Sequence, residues 1–130
     1  MSQTGFCSIC SHEKREEEGL LPARERYLGS HIAKVEREAS QEGLPFFILS
    51  GVYGLIPAEE GISYYDQSLT VVGVPFLTIK VHSQLRQYGL DAVHFFTKTK
   101  TSWEPYLEAL KLATESLGVM LCIHELLEDD

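Results

Sequence analysis

A glycine-bearing segment near the middle of the chain has the residue types of a ligand-binding site. Ser50-Gly51-Val52-Tyr53-Gly54 follows an apolar run, and Tyr65-Asp66 comes soon after it. The glycines let the backbone turn tightly and leave amide groups free to face a ligand. The Asp66 carboxylate and the tyrosine hydroxyls can hydrogen-bond the edge of a polar ring. The alternative is a well-packed turn in which Asp66 bonds only to its own backbone.

A second candidate group follows the first apolar run of the chain. It reads Cys10-Ser11-His12-Glu13-Lys14. A lysine beside a strand end can act as a nucleophile or, while charged, can hold an anion. Because acidic residues follow it, a surface ion pair is the alternative. We assign catalytic roles to Lys14 and Asp66. Substrate contacts are assigned to Cys10, Ser11, Ser50, Gly51, Tyr53, Gly54 and Tyr65.

The cysteines and two histidines raise the question of zinc. Cys7, Cys10 and His12 lie near one end of the chain, and Cys122 and His124 lie near the other. Tetrahedral zinc sites do use such sets. Residues two or three apart on a strand often face different sides, however, and the second pair sits in an apolar run. We therefore favour buried thiols over a metal site and predict no cofactor.

Further polar residues fall on the first predicted helix and after the third predicted strand. Tyr27 and Ser30 are assigned to the substrate site. The neighbouring His31 either lies on the surface or faces the strand ends. Lys98 and Lys100 alternate with threonines and form the local basic patch of the chain. They either hold a phosphate or belong to a solvated loop.

The elements that must position these residues alternate along the chain. Apolar runs predict strands at 6–10, 45–51, 92–97 and 119–124. Helical spacing predicts helices at 22–43, with Leu28, Ile32, Val35 and Ala39 on one face, and at 75–88 and 103–117. Residues 52–66 read as a long functional loop, and 125–130 as an acidic tail. This order predicts one domain, residues 1–130: a three-layer α/β sandwich with a mostly parallel sheet of about four strands.

Composition limits the classes of function. The chain has 130 residues, 44% of them hydrophobic, and a net charge of −8. Disordered and coiled-coil classes are excluded, and the acidic balance disfavours a free-standing nucleic-acid binder without excluding a local basic pocket. No run is long enough for a membrane helix, and the first residues lack the order of a signal peptide. With an odd number of cysteines, this predicts reduced thiols in the cytoplasm.

The motifs together resemble those of a known family. Ser50-Gly51-Val52-Tyr53-Gly54-Leu55-Ile56-Pro57 and Tyr65-Asp66 are similar to a segment of the amidinotransferase domain of archaeosine synthase. Cys10 to Lys14 resembles that family's Cys-Ser-x-Thr-Lys, and Tyr27-x-x-Ser30-His31 resembles its downstream tyrosine and Ser-x-Ser-His. A family of small bacterial and phage domains has the same motifs in the same order. YaaA-type peroxide-stress proteins share a weaker similarity, in the segment from Leu49 to Leu55.

The resemblance spans roughly residues 6–70 and implies a pocket on an α/β fold related to uracil-DNA-glycosylase-like domains. Glu13 stands where that family has threonine, and Gly51-Val52 replace its Ser-Pro. Because of these differences, the resemblance implies a pocket but not a particular base. We expect a domain that binds a nucleobase or nucleotide, with base-directed transfer or hydrolysis, including 7-deazaguanine-like chemistry, as the reaction. The alternative is a non-catalytic accessory or protein-interaction domain in nucleic-acid modification or stress response.

Overall fold

Strands and helices alternate along the chain in the computed structural model, which describes residues 3–126. Residues 1–2 and 127–130, with most of the predicted acidic tail, lie outside the described residues. The strands are β1 (Thr4–Ile9), β2 (Leu21–Pro22), β3 (Phe46–Ser50), β4 (Gly54–Pro57), β5 (Gly61–Ile62), β6 (Ala92–Thr97) and β7 (Met120–Glu125). The helices are α1 (Ala23–Arg26), α2 (Ser30–Glu42), α3 (Val74–Tyr88) and α4 (Glu104–Leu117). Short 3₁₀ turns at Val71–Gly73 and Thr101–Trp103 precede α3 and α4.

The main sheet has five strands in the order β4-β3-β1-β6-β7. β3, β1, β6 and β7 run parallel, which confirms the predicted α/β class with a mostly parallel sheet. The predicted count of about four strands was wrong. Residues 54–57 fall in the segment read as a loop, but they form β4, which pairs antiparallel with β3. In the same segment, β5 pairs with β2 in a separate two-stranded ribbon.

Two hydrophobic clusters lie on opposite faces of the main sheet. In β3, Phe47 and Leu49 belong to the cluster that includes side chains of α3 and α4. Phe46 and Ile48 belong to the cluster that includes side chains of α1 and α2. All five residues of β3 are buried, as expected of a strand covered on both faces. None of the described helices is both long and apolar enough to cross a membrane.

The first predicted helix is interrupted. The periodic pattern favoured one helix over 22–43, but α1 ends at Arg26 and α2 begins at Ser30. Between them, Tyr27 forms an antiparallel bridge with Lys14, and the Leu28 amide donates to the Glu13 carbonyl. Because this extended segment turns Leu28 away from the helix face, its side chain is 49% exposed rather than buried.

Arg26 is fully buried and holds several segments together, although arginine is normally an exposed residue. Its Nη1 donates to the carbonyls of Arg15 (2.7 Å) and Glu17 (2.9 Å). Its Nη2 donates to the carbonyls of Gly19 (2.7 Å) and Ile62 (3.0 Å). The guanidinium therefore ties the loop after Lys14 to the β5 ribbon through backbone carbonyls.

The hairpin between β3 and β4 is closed by a glutamine from α3. Gly54 has φ +81°, and a Cβ there would lie 2.3 Å from Gln84 Oε1. Gln84 Oε1 accepts from the Leu55 amide (2.7 Å), and its Nε2 donates to the Tyr53 carbonyl (3.0 Å). The Gln84 side chain thus serves as the hydrogen-bond partner of a backbone group on each side of Gly54. A side chain at position 54 would displace it, so these two hydrogen bonds require glycine there.

We expect Gly54→Ala to lower the free energy of unfolding by about 2–3 kcal/mol. The left-handed backbone costs an alanine about 1–2 kcal/mol, and the displaced Gln84 loses hydrogen bonds of about 1 kcal/mol each. Urea unfolding measures the change. Gly89→Ala is the matched control, because Gly89 also has a positive φ (+67°) but no atom within 4 Å of a Cβ. Equal losses in the two variants would contradict the role given to Gln84.

Candidate functional site

A cavity of about 360 Å³ opens at the carboxyl edge of the sheet, next to the end of β1. Its walls include Cys10 and Lys14 from the segment after β1, Tyr65 from the segment after β5, and Trp103 and Tyr106 from the start of α4. Ligands of parallel α/β sheets bind at this edge. The volume lies within the range of about 300–1,000 Å³ that small-molecule sites occupy.

A hydrogen-bonded cluster of hydroxyl groups lies behind the cavity wall. Ser50, fully buried at the end of β3, accepts from the amides of Val52 (3.1 Å) and Tyr53 (3.0 Å). Its Oγ lies 3.0 Å from Tyr65 Oη, and Tyr65 Oη lies 2.6 Å from Tyr27 Oη. Ser50 and Tyr27 therefore reach the cavity through Tyr65 rather than lining it.

Lys14 and Tyr65 meet at the cavity, although 50 residues of sequence separate them. The Lys14 ammonium lies 4.5 Å from the centre of the Tyr65 ring and 6.0 Å from that of Tyr27. It also donates to the His12 carbonyl at 3.1 Å. An ammonium over an aromatic face is attracted by the electrons of the ring. The segment after β1 and the segment after β5 therefore form one wall.

The groups around Cys10 are uncharged at neutral pH, Lys14 excepted. Burial raises the pKa of Cys10 above its usual value, although the Tyr106 hydroxyl, the Gly51 amide and the Lys14 charge act in the opposite direction. Burial also raises the pKa of Tyr27, of Tyr65 and of Tyr106 well above the usual range. The wall therefore presents a neutral thiol and protonated phenols beside one ammonium group.

No aspartate or glutamate is among the described residues that line the cavity. The chain contains 19 acidic residues and 11 basic ones, so this distribution departs from its average composition. Lys14 is the one lysine or arginine in that wall. The cavity thus favours a ligand that is anionic or rich in hydrogen-bond acceptors.

Trp103 and Tyr106 contribute to the cavity but are not among the site residues that the sequence analysis predicts. Tyr106 Oη lies 3.4 Å from the Leu69 amide, which donates to it. A Cβ on Gly51 would lie 3.3 Å from the same Oη and 3.1 Å from Leu69 Cβ, so glycine lets α4 approach the end of β3. Their position in the chain was the available signal, since both aromatic residues lie within ten residues after the carboxyl end of β6.

Several predicted site residues lie beside the cavity rather than in it. Asp66 is exposed and is not part of the wall, although it directly follows Tyr65. Gly51 lines a neighbouring depression of about 440 Å³. The Tyr53 hydroxyl donates to the Ser63 carbonyl at 3.3 Å. Gly54 shapes the β3–β4 turn.

The remaining predicted residues lie around the start of α2. Ser11 lines the cavity and also accepts from the Gly29 amide at 3.1 Å, and Ser30 lines an adjoining depression of about 410 Å³. His31 faces the strand ends, one of its two predicted positions, with Nε2 donating to the Ile9 carbonyl at 2.8 Å. Burial lowers the pKa of His31, and the charge of Lys98 lowers it further.

The structure does not bring the five zinc candidates together. Cys7 and Cys10 belong to β1 and the segment after it, whereas Cys122 and His124 lie on β7, and β6 runs between these strands. His124 Nε2 lies instead 2.7 Å from His94 Nδ1 on β6. Within residues 3–126, no group of three or more histidine, cysteine or acidic side chains could hold a metal ion.

Comparison with protein-family models, with curated proteins and with solved structures gives no match for this chain.

Proposed function

We propose that the chain is a three-layer α/β domain that binds a nucleobase or nucleotide in the cavity at the carboxyl edge of its sheet. The observation that carries this proposal is the composition of the wall, which combines the Lys14 ammonium with the rings of Tyr65, Trp103 and Tyr106 and includes no described acidic side chain. Aromatic rings offer planar apolar surface on which a base can stack. An ammonium group offers charge to a phosphate.

Base-directed transfer or hydrolysis is the reaction class that we propose for the site. In it, Lys14 acts as a charged donor or as a nucleophile, since it reaches the cavity directly. Asp66 acts as the group that holds the base edge or as the general base. Because the Asp66 side chain is exposed beside Tyr65, this role requires a ligand that extends from the cavity towards the rim.

The single tryptophan provides a direct test of binding, since Trp103 is the one tryptophan of the chain and lines the cavity. We expect its fluorescence to change on titration with at least one member of a panel of free nucleobases and nucleoside 5′-monophosphates. Ligand at a hundred times its dissociation constant adds about 2.7 kcal/mol of stability, so the melting temperature should rise by several degrees.

Controls separate specific binding from a general effect of the phosphate. Ribose 5-phosphate and inorganic phosphate should leave both signals almost unchanged. A bound nucleotide should also protect Cys10 from alkylation but not Cys122, which lies on β7 away from the cavity wall. A panel in which no member changes fluorescence, melting temperature or alkylation would refute the proposed function.

A non-catalytic accessory or protein-interaction domain is the second candidate. The observation that favours it is a set of exposed apolar side chains around the start of α3: Val71, Val72, Phe76 and Ile79, which are 70–79% exposed. Exposed apolar patches often mark contacts with other proteins. This function predicts that neither nucleotides nor substitutions in the cavity change the behaviour of the protein.

A further inference from the structure

The hydrogen bonds of Ser50 determine where its own proton points. The amides of Val52 and Tyr53 both donate to Ser50 Oγ. A hydroxyl oxygen has two acceptor positions and one hydrogen, so both acceptor positions are occupied. The hydrogen of Ser50 is therefore available only for donation, and Tyr65 Oη lies 3.0 Å away in the observed contact. Ser50 donates to Tyr65.

The direction of the bond between the two tyrosines follows from burial. Tyr27 is 2% exposed, and burial keeps it protonated. Its hydroxyl lies 2.6 Å from Tyr65 Oη, and the other groups that act on it are the Cys10 thiol, the already saturated Ser50 and Tyr106. If Tyr65 donated to Tyr27, the buried Tyr27 hydrogen would be left with the Cys10 thiol, a weak acceptor, whereas the Tyr65 hydrogen can point into the open cavity. Tyr27 therefore donates to Tyr65.

The remaining hydrogen of this cluster is that of Tyr65, and it must leave on the cavity side. Tyr65 Oη accepts from both Ser50 and Tyr27, and its side chain forms part of the wall. The group next to it there is the Cys10 thiol, and sulfur is a weak acceptor. A hydroxyl that accepts two hydrogen bonds is itself a stronger donor. The cavity therefore contains a strong donor that lacks a strong acceptor.

We propose that Tyr65 is the directed hydrogen-bond donor of the cavity and that it recognises an exocyclic carbonyl oxygen of the ligand. Lys14 lies over the Tyr65 ring, and a carbonyl oxygen can accept from both groups, whereas a ring nitrogen has a single lone pair. Ser50 and Tyr27 are positioning residues that orient the Tyr65 hydroxyl. The identity of the ligand rests on the proposed function, but the direction of the proton does not.

The direction of the proton is tested without a ligand, by the rate of Cys10 alkylation as a function of pH in a Cys122→Ser background. Cys7 has 0% exposure and will not react. If Tyr65 donates towards Cys10, it stabilises the thiolate. Tyr65→Phe should then slow alkylation near pH 8 by about threefold, which corresponds to about half a pKa unit. The titratable groups that act on this thiol are Cys7, Lys14, Tyr27, Tyr65 and Tyr106.

Two further phenylalanine variants distinguish the possible proton orders. Tyr53→Phe is the matched control, because its hydroxyl bonds to the Ser63 carbonyl, and it should not change the rate. Tyr27→Phe should leave the rate unchanged or slower. If Tyr65 instead donated to Tyr27, Tyr27→Phe would free that hydrogen for Cys10 and speed alkylation. A faster rate in Tyr27→Phe, or an unchanged or faster rate in Tyr65→Phe, overturns the assignment.

The recognition of a carbonyl is tested with inosine 5′-monophosphate and purine riboside 5′-monophosphate, of which only the first carries the C6 oxygen. The unsubstituted protein should prefer inosine 5′-monophosphate by about fivefold or more. Tyr65→Phe should weaken its binding by about tenfold and that of the second nucleotide by less than about twofold. Equal binding of the two nucleotides overturns carbonyl recognition but leaves the proposed function intact. Absence of binding by every nucleotide refutes the proposed function, and alkylation still decides the direction of the proton.

Discussion

Arg26→Met is expected to lower the free energy of unfolding by about 3–5 kcal/mol, because it removes the donor of four hydrogen bonds and each carbonyl left buried without a partner costs about 1–3 kcal/mol. The guanidinium is fully buried, and its partners are four backbone carbonyls rather than a carboxylate. Methionine has a similar length but cannot donate to them. The free energy of unfolding of a small domain is about 5–15 kcal/mol, so this loss is a large fraction of it. It is the largest loss of stability that we expect from a single substitution here.

Equilibrium unfolding in urea measures this loss. Arg24→Met is the matched control, because Arg24 lies on the same short helix but is exposed, with long ion pairs to Glu25 (3.7 Å) and Glu36 (3.8 Å). Such surface pairs contribute about 0–1 kcal/mol. If Arg26→Met costs no more than Arg24→Met, the carbonyl contacts do not stabilise the loop as described.

Lys14→Gln is expected to weaken nucleotide binding by about tenfold or more, the largest functional effect predicted here. Hydrogen bonds to a charged group contribute about 1.5–3 kcal/mol, and Lys14 is the one lysine or arginine among the described residues of the cavity wall. Glutamine keeps a polar side chain but removes the charge. The Trp103 fluorescence titration measures the change in the dissociation constant.

The control for this variant is Lys111→Gln, which removes the same charge from an exposed position on α4. The net charge of the two variants is identical, so a difference in binding reports position rather than overall charge. Higher salt should reduce the gap between them, because screening weakens a contact with an exposed phosphate. Similar affinities in both variants would remove Lys14 from the site.

The regular elements could be predicted because their apolar residues form continuous runs in the strands and recur at helical spacing in the helices. β6 has the predicted bounds, 92–97, and α3 begins one residue before its predicted start. Their burial follows directly from hydrophobic patterning. β4 was missed because it is short, begins with a glycine and ends in proline. It is a strand because β3 offers a free edge, which is a property of the folded sheet.

The candidate site could be predicted only in part. Cys10 and Lys14 were found because they follow a predicted strand, and the carboxyl ends of parallel strands share one edge. Tyr65 was found because a tyrosine and an aspartate follow the glycine-bearing segment within the predicted loop. The position of Asp66 could not be predicted, since the direction of a side chain in an irregular segment depends on its neighbours. Arg26 was missed because a charge normally indicates solvent, and its carbonyl partners come from loops distant in sequence.

Because β4 runs antiparallel to β3, it takes the chain away from the carboxyl edge of the sheet before the chain reaches the cavity again. β4 carries the chain from Gly54, beside Ser50, away from the carboxyl edge to Pro57, beside Phe47. The chain is then anchored where β5 pairs with β2, before it returns to place Tyr65 on the cavity wall. The ribbon therefore holds the chain only three residues before Tyr65, so the position of Tyr65 on the cavity wall depends on the pairing of β5 with β2.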